Sequence, residues 1–260
     1  MGGTLRFGAV DGVELLQVLG EAADAVAGSL NGLADWGLAG TRPGQYRSDL
    51  VADAAAVRVL TDAGLGVLSE ESGFSPGASE RALLAVLDPV DGSTNASRHI
   101  PWFGTSVCVL DEFGPLVALV VNQATGARYE AVRGGGARRD GEAITPSLKE
   151  SLGRSLIGLS GYPPRYLGWR QYRALGAAAL DLCAVADGTL DGYIDCMRDA
   201  HGSWDYLGGL LVCAEAGALV ADAAGRELVV RDHSGRRTPV AAGTSALLSE
   251  LLAARATWRR

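Results

Sequence analysis

The chain has 260 residues, of which 48% are hydrophobic and 20% are charged, a composition that permits a substantial globular core. The formal net charge of −7 argues against a nucleic-acid-binding surface, because such surfaces carry a basic stripe. The first ten residues lack the basic and apolar regions of a signal peptide, and no uninterrupted apolar run reaches membrane-spanning length. We therefore expect a cytoplasmic protein that binds neither nucleic acid nor membrane.

Apolar periodicity in the first half of the chain predicts helices over residues 13–26 and 49–60, on either side of a glycine-rich stretch. A short buried strand over 66–69 precedes a polar loop over 72–80 and an apolar strand over 83–87. Apolar segments at 103–110, 115–122 and 127–132 predict an antiparallel meander, followed by a hairpin near residue 140.

From residue 155 the pattern changes to alternating strands and helices. We predict strands over 155–160 and 192–196, helices over 175–186 and 204–216, short strands over 219–221, 228–231 and 239–242, and a last helix over 245–255. The sequence thus predicts an α+β half, residues 1–148, followed by an α/β half, residues 149–260. Four cysteines without CxxC spacing indicate reduced core residues.

The turn after strand 83–87 carries two carboxylates. Asp88 and Asp91 flank Pro89, and the carbonyl of Val90 adds a third hard oxygen of the kind that Mg²⁺ accepts. Asp88 and Asp91 also suit an Asx-turn and a helix cap, which is the purely structural alternative.

An anion site is expected directly after these carboxylates. Gly92 allows close approach of a ligand, and Ser93 and Thr94 open a segment whose free helical amides point at an anion. Metal and phosphate sites would then share one turn.

Two further acids can join this turn. Glu70 follows strand 66–69, and we expect it beside Asp88 if that strand pairs with 83–87; the neighbouring Glu71 is expected to be a solvated loop acid. Asp205 enters a helix, where a favourable charge in the first turn is the structural alternative. Together these carboxylates suit two Mg²⁺ ions in a phosphate-handling site, because hard oxygen ligands without His or Cys favour Mg²⁺ over zinc.

These residues carry a family resemblance. Three segments resemble, in order and separation, the three signatures of the inositol monophosphatase family: Ser69 to Ser72, Asp88 to Asn95, and Trp204-Asp205 followed by Glu215-Ala216-Gly217. Residues 176–183 and 191–193 resemble intervening family segments, so the resemblance covers roughly residues 10–255.

The resemblance implies a layered α/β/α/β/α sandwich, a homodimer, and Mg²⁺-dependent hydrolysis of a small phosphate monoester. It implies a first metal on Glu70, Asp88 and the Val90 carbonyl, and a second on Asp88, Asp91 and Asp205. A weaker third ion would contact Glu70 through water. The other implied roles are water orientation by Glu70 and Ser93, phosphate binding by the amides of Gly92, Ser93 and Thr94, and substrate binding by Asp91, Gly176, Ala177, Ala178, Asp195 and Asp205.

The sequence departs from the family in two places. The helix over 49–60 lacks the threonine that the family often has before its helical acid; we expect Asp53 to be that acid and Asp49 to be an N-cap. The segment between Asp195 and Asp205 is longer than the family loop. Its Arg198 and His201 could meet a second anionic group of the substrate, although simple surface exposure is the expected state of His201.

Inositol 1-phosphate is the leading candidate substrate. Histidinol phosphate and fructose 1,6-bisphosphate are alternatives on the same site. A catalytically weak phosphate-binding or regulatory protein on this fold is the alternative from another functional class, but its expected sign, a missing metal carboxylate, is not found.

Overall fold

The computed structural model describes residues 12–78 and 82–258. The features of the first ten residues and the end of the loop over 72–80 lie outside these ranges. The helices are α1 (Gly12–Leu30), α2 (Arg47–Asp62), α3 (Ser93–Ser97), α4 (Ala178–Ala186), α5 (Ser203–Ala216) and α6 (Ser245–Ala256). The strands of the first half are β1 (Gly66–Ser69), β2 (Gly73–Ser75), β3 (Leu84–Asp91), β4 (Gly104–Asp111), β5 (Gly114–Asn122), β6 (Arg128–Val132), β7 (Gly136–Arg139) and β8 (Glu142–Ala143). Those of the second half are β9 (Leu156–Ser160), β10 (Gln171–Arg173), β11 (Gly192–Asp195), β12 (Leu219–Asp222) and β13 (Pro239–Ala242).

The strands form two sheets. The first has eight strands in the order β2-β1-β3-β4-β5-β6-β7-β8, and the meander from β3 to β8 is antiparallel, as the sequence predicts. Among the strands described for this sheet, β1 and β3 are the one parallel pair. The second sheet has five strands in the order β10-β9-β11-β13-β12, with parallel pairing among the first three.

Helices separate and cover the two sheets. Helices α1 and α2 pack on one face of the first sheet, whereas α4 and α5 pack between the two sheets and α6 covers the outside of the second. The order of layers is therefore α/β/α/β/α, and the predicted sandwich is confirmed. The chain passes from one sheet to the other between Ala143 and Leu156, yet α4 and α5 of the second half cover the first sheet. The division at residue 148 remains a prediction, and the two halves share their middle layer.

Several elements differ from those predicted from the sequence. The segment over 228–231 is irregular, because β12 pairs directly with β13 and leaves this segment no neighbouring strand. Helix α4 begins at Ala178 and not at Leu175, since Gly176 has a φ of +90° and Ala177 is extended. Strands β2 and β10 were not predicted, because their residues are partly or fully exposed and show no buried alternation.

The four cysteines are free and buried, as expected. Among the described residues, no helix combines the length and apolar character needed to cross a membrane.

Candidate active site

A β-bulge in β3 sets the direction of the two carboxylates in the turn. Asp88 pairs with Ser106 and Asp91 with Gly104, so β3 has one more residue than β4 over this interval. Side chains three residues apart in a regular strand point to opposite faces, and the extra residue returns Asp91 to the face of Asp88. Pro89 lies within the bulge, where its missing N–H costs no ladder hydrogen bond. Both carboxylates therefore point toward the layer of α4 and α5.

Glu70 reaches this site because β1 is the parallel neighbour of β3. Ser69 pairs with Leu87, and the amide of Glu70 donates to the Leu87 carbonyl at 3.1 Å, which continues the ladder by one residue. Glu70 and Asp88 thus leave adjacent strands at the same end, as the sequence predicts.

Asp205 enters the site from α5. It occupies the third position of that helix, and its Oδ2 accepts a hydrogen bond from the Gly202 amide at 2.6 Å. The capping role and the site position are compatible, since a carboxylate has two oxygens.

Glu70, Asp88 and Asp205 form the centre of the site. Each offers a carboxylate oxygen, and these three oxygens lie within 4.8 Å of one another. Burial, followed by the charge of Asp205, raises the pKa of Glu70 to about 9. Burial and the charge of Glu70 raise the pKa of Asp88 well above its usual range. The cluster concentrates negative charge that a cation would offset.

Asp91 lies outside that group of three and binds the start of α4. Its Oδ2 accepts a hydrogen bond from the Ala179 amide at 2.7 Å. Burial and the charge of Asp205 raise the pKa of Asp91 to about 7, against the lowering effect of the α4 amides. Asp91 therefore joins the acidic cluster to the helix that carries the predicted substrate residues.

The turn after Asp91 is closely packed against that same segment. Gly92 has a φ of +89°, and a Cβ there would lie 3.1 Å from the carbonyl oxygens of Gly176 and Trp102 and 3.2 Å from Ala177 Cβ. Asn95 Nδ2 holds this junction by donating to the Leu175 carbonyl at 2.7 Å. The structure thus brings the predicted phosphate-binding turn together with the start of the 176–178 segment.

Ser93 and Thr94 open α3, and both hydroxyls have partners. Ser93 Oγ donates to the Val90 carbonyl at 2.9 Å, and Thr94 Oγ1 lies 3.2 Å from Tyr46 Oη. The amides in this first turn of α3 have no intrahelical acceptor, as at any helix N-terminus.

The N-cap role expected for Asp49 is wrong. Asp49 is not the N-cap: it occupies the third position, and its Oδ2 accepts from the Tyr46 amide at 2.8 Å. Burial raises the pKa of Asp49 to about 6, against the lowering effect of the Tyr46 amide and of the nearby Ser93 hydroxyl. Asp53 lies one turn further on and accepts a hydrogen bond from Ser69 Oγ. Asp49 is thus the acid of α2 that lies near Ser93 in the predicted phosphate-binding turn, and the three-residue spacing from Tyr46 is the signal that could have identified its position. The family role expected for Asp53 stays a prediction.

His201 is not a surface residue, in contrast to its expected state. Its side chain is 13% exposed and lies between two carboxylates, with Nδ1 3.4 Å from Asp205 Oδ2 and Nε2 3.7 Å from Asp195 Oδ2. Burial lowers the pKa of His201, but the hydrogen bond and charge of Asp205 outweigh it and raise the pKa to about 9. Arg198, by contrast, is 79% exposed.

Asp195 ends β11 and is fully buried. Its Oδ1 accepts from the Met197 amide at 2.8 Å, and its Oδ2 has no hydrogen-bond partner among the described residues. Burial raises the pKa of Asp195 to about 6, although the charge of His201 lowers it.

Basic residues surround the backbone of Glu70. His233 Nε2 and Arg42 Nη2 donate to the Glu70 carbonyl at 3.2 and 3.3 Å. Arg42 also pairs with Glu71, whose side chain is 7% exposed, so Glu71 is not the solvated acid that we expected. His233 packs on Trp204 with ring centroids 4.7 Å apart, which ties the segment before β13 to the start of α5.

Comparison with known proteins identifies the class. A family model described as the inositol monophosphatase family matches residues 49–258, and the chain belongs to that family. It is therefore a phosphatase that hydrolyses phosphoric monoesters.

Relatives in the family differ in their described substrates. The chain is 33% identical to a fructose-1,6-bisphosphatase/inositol-1-monophosphatase of Methanothermobacter thermautotrophicus, over 78% of this chain and 80% of the relative. It is 29% identical to a bifunctional NADP phosphatase/NAD kinase of Methanocaldococcus jannaschii, over 80% of this chain but 43% of that longer protein. Among solved structures, a hypothetical protein of Pyrococcus horikoshii with similarities to inositol-1 monophosphatase superposes with a TM-score of 0.79 at 25% identity, covering 93% of this chain and 96% of that one.

Proposed function

We propose that the protein hydrolyses a small phosphate monoester resembling inositol monophosphate, with Mg²⁺, to the alcohol and inorganic phosphate. The observation that carries the proposal is the meeting of three carboxylates within 4.8 Å from three separate elements, next to the first turn of α3. Carboxylates beside free helix amides suit a metal-assisted phosphoryl transfer.

The donor set fits Mg²⁺. All its side-chain ligands are oxygens, and burial followed by the charges of neighbouring acids raises the pKa values of Glu70 and Asp88, an unfavourable arrangement that a divalent ion would offset. We assign one ion to Glu70, Asp88 and the Val90 carbonyl. A second ion would be held by Asp88, Asp91 and Asp205, and a weaker third would contact Glu70 through water.

Mg²⁺, when bound, makes water more acidic and neutralises charge on the phosphoryl group. Glu70 and Ser93 orient the attacking water, and the Val90 carbonyl holds the Ser93 hydroxyl by accepting its hydrogen bond. The amides of Gly92, Ser93 and Thr94 hold phosphate oxygens. A bond forms between the water oxygen and phosphorus while the bond from phosphorus to the alcohol oxygen breaks. Water near Asp205 supplies the proton that the leaving alkoxide takes, and the proton that the attacking water gives up passes through solvent and restores that water.

The alcohol is bound on the side of Asp195 and the 176–178 segment. An unpaired, buried Asp195 oxygen suits a substrate hydroxyl as its donor. We therefore keep inositol 1-phosphate as the leading substrate. The name of the M. thermautotrophicus relative supports fructose 1,6-bisphosphate as an alternative. The Asp195 oxygen supports histidinol phosphate as another, because a carboxylate also accepts hydrogen bonds from the amine of that alcohol. A binding protein with weak catalysis is disfavoured because every proposed metal carboxylate is present.

Asp88→Asn and Asp205→Asn test the site. Each change removes a negative ligand, so we expect phosphate release from inositol 1-phosphate at saturating Mg²⁺ to fall at least a hundredfold, as for loss of a major electrostatic group. The control is Asp62→Asn, an exposed carboxylate at the end of α2, which should retain the wild-type rate. Near-native turnover in Asp88→Asn would contradict the metal assignment.

A panel of phosphate monoesters, assayed with Mg²⁺ and with or without Li⁺, distinguishes the candidate substrates. Retained ligand binding without turnover on any monoester would favour the binding protein. The cytoplasmic location and the homodimer remain predictions, and light scattering on the purified protein tests the latter.

A further inference from the structure

The long loop between β11 and α5 is anchored along its length. The Asp199 amide donates to Thr238 Oγ1 at 2.9 Å, and Arg226 Nη2 donates to Asp199 Oδ1 at 2.6 Å. His201 exchanges two backbone hydrogen bonds with Arg237, at 3.2 and 2.9 Å. These contacts hold the backbone of His201 in one place, so the position of its ring is a built feature of the fold.

The ring bridges the metal side and the substrate side of the site. Nδ1 faces Asp205 Oδ2 at 3.4 Å, while Nε2 lies 3.3 Å from Tyr193 Oη and 3.7 Å from Asp195 Oδ2. Tyr193 is itself fully buried in β11, two residues before Asp195. Each ring nitrogen therefore contacts a different functional group.

The ring affects the two carboxylates differently. Asp205 Oδ2 already caps α5, and a second contact from the ring fixes the orientation of the whole carboxylate. Asp195 Oδ2 is buried without a hydrogen-bond partner among the described residues, and a buried acceptor without a donor is costly. The ring lies beside this oxygen but beyond hydrogen-bond distance, which leaves room for a donor from a ligand.

We propose that His201 is a positioning residue with two separable tasks: through Nδ1 it orients Asp205 for Mg²⁺, and through Nε2 and Tyr193 it shapes the Asp195 acceptor for a hydroxyl of the substrate alcohol. This inference rests on the proposed function and names the substrate class as a phosphate monoester whose alcohol carries a second hydroxyl. The loop between β11 and α5 thus delivers the ring to both carboxylates.

Two amide variants separate the tasks. An Asn amide can replace the donor at Nδ1 and a Gln amide the donor at Nε2, whereas Ala replaces neither. We expect His201→Gln to weaken Mg²⁺ binding to the substrate-free protein about tenfold by calorimetry, since outer partners of metal ligands have effects of this size. Its preference for inositol 1-phosphate over phenyl phosphate, measured as the ratio of kcat/KM values, should stay within about twofold of the wild type.

His201→Asn should show the reverse: Mg²⁺ binding within about threefold of the wild type and a preference reduced about tenfold, mainly through KM. His201→Ala should reduce both the Mg²⁺ affinity and the substrate preference. Ala200→Ser, a change at an exposed residue of the same loop, should reduce neither. Thermal unfolding followed by circular dichroism checks that each variant is folded.

Equal effects of the Asn and Gln variants on both measurements, or no effect of either, would overturn the inference. Wild-type protein without Mg²⁺-dependent phosphate release would instead overturn the proposed function, while the calorimetric comparison of the two variants would still report on the Asp205 contact.

Discussion

Asp181 shows how burial alone can set the protonation of a carboxyl in this protein. It lies in α4, fully buried, and its Oδ1 accepts a hydrogen bond from Trp102 Nε1 at 2.9 Å. Burial raises the pKa of Asp181 well above its usual range and outweighs the lowering effect of that hydrogen bond. Folding therefore takes up a proton at this residue. Its contribution to stability is complete below about pH 4 and is lost as the pH rises toward the folded pKa.

Asp181→Asn removes the carboxyl group whose ionisation lowers the stability, and it keeps an oxygen that can accept the hydrogen bond from Trp102 Nε1. We expect the variant to gain stability over the wild type as the pH rises above about 4, by about 1.4 kcal/mol per pH unit until the folded pKa is reached. Urea unfolding at pH 4, 6 and 8 with saturating Mg²⁺ measures the difference. A difference that is constant with pH would contradict the assignment, and the exposed Asp62→Asn should show no change at any of these pH values.

The sequence identified acids that follow strands, because strand ends and residue types are local features. Glu70 and Asp88 meet as predicted once β1 pairs with β3. The prediction that Asp49 is the N-cap failed, because Tyr46 is not a preferred capping residue and a sequence does not locate a helix start to one residue. The contacts of His201 depend on its pairing with Arg237, a residue distant in sequence, and no local pattern reports such a contact.

At the scale of elements, four helices begin at the site. The first turns of α2 and α5 contribute Asp49 and Asp205, α4 binds Asp91 through its Ala179 amide, and α3 follows Gly92. Helix N-termini carry partial positive charge, worth about 0.3–1 kcal/mol to a nearby anion at an exposed site. Their convergence stabilises a cluster of acids that would otherwise repel one another.

Helices α4 and α5 pack closely because α5 has glycine at their contact. A Cβ at Gly209 would lie 2.5 Å from Leu182 Cβ and 3.1 Å from the Ala179 carbonyl oxygen. This close approach also sets the distance between Asp205 and the Asp91 contact on α4. The sequence predicted both helices, but not the separation between them, because that depends on which small residues face each other.

Gly209→Ala should destabilise the protein by about 1–3 kcal/mol, since overpacking outweighs the better helix propensity of alanine. The matched control is Gly20→Ala in α1, where the nearest atom to a new Cβ is Arg128 Nη1 at 3.6 Å. That change should stabilise by about 0.5–1 kcal/mol. Chemical denaturation gives both values, and a stabilising Gly209→Ala would show that the two helices can separate without loss.

The predicted antiparallel meander of the first sheet is confirmed, whereas the geometry within β3 was not foreseen. Strand β3 continues four residues beyond the predicted end, through the bulge at Asp88 and Asp91. A proline normally argues against a strand, so Pro89 concealed this continuation. Bulges arise from pairing with a partner strand, and this information is absent from a single segment.

At the scale of the whole molecule, the acidic cluster links stability to pH and to Mg²⁺. The raised pKa values of Glu70, about 9, and Asp91, about 7, mean that the metal-free protein loses stability as the pH rises through this range. Bound Mg²⁺ would offset that loss. The stabilisation by Mg²⁺ should thus be larger at high pH.

We expect 10 mM MgCl₂ to raise the unfolding temperature by a few degrees more at pH 8.5 than at pH 6, measured by calorimetric scanning. A hundredfold excess over Kd corresponds to about 2.7 kcal/mol. NaCl at matched ionic strength is the control, and Asp205→Asn should show a smaller difference. An Mg²⁺ effect that declines with pH would contradict the role of the cluster.

The shared middle layer has a consequence for the order in which the protein is made. Glu70 and Asp88 leave the ribosome early, whereas Asp205 is added more than a hundred residues later, on a helix that covers the first sheet. At usual rates of synthesis this interval lasts roughly 5–25 s. During it, the first sheet lacks both the helices that bury one of its faces and the last carboxylate of the site. That face of the sheet is therefore covered, and the site completed, only when the C-terminal half has docked.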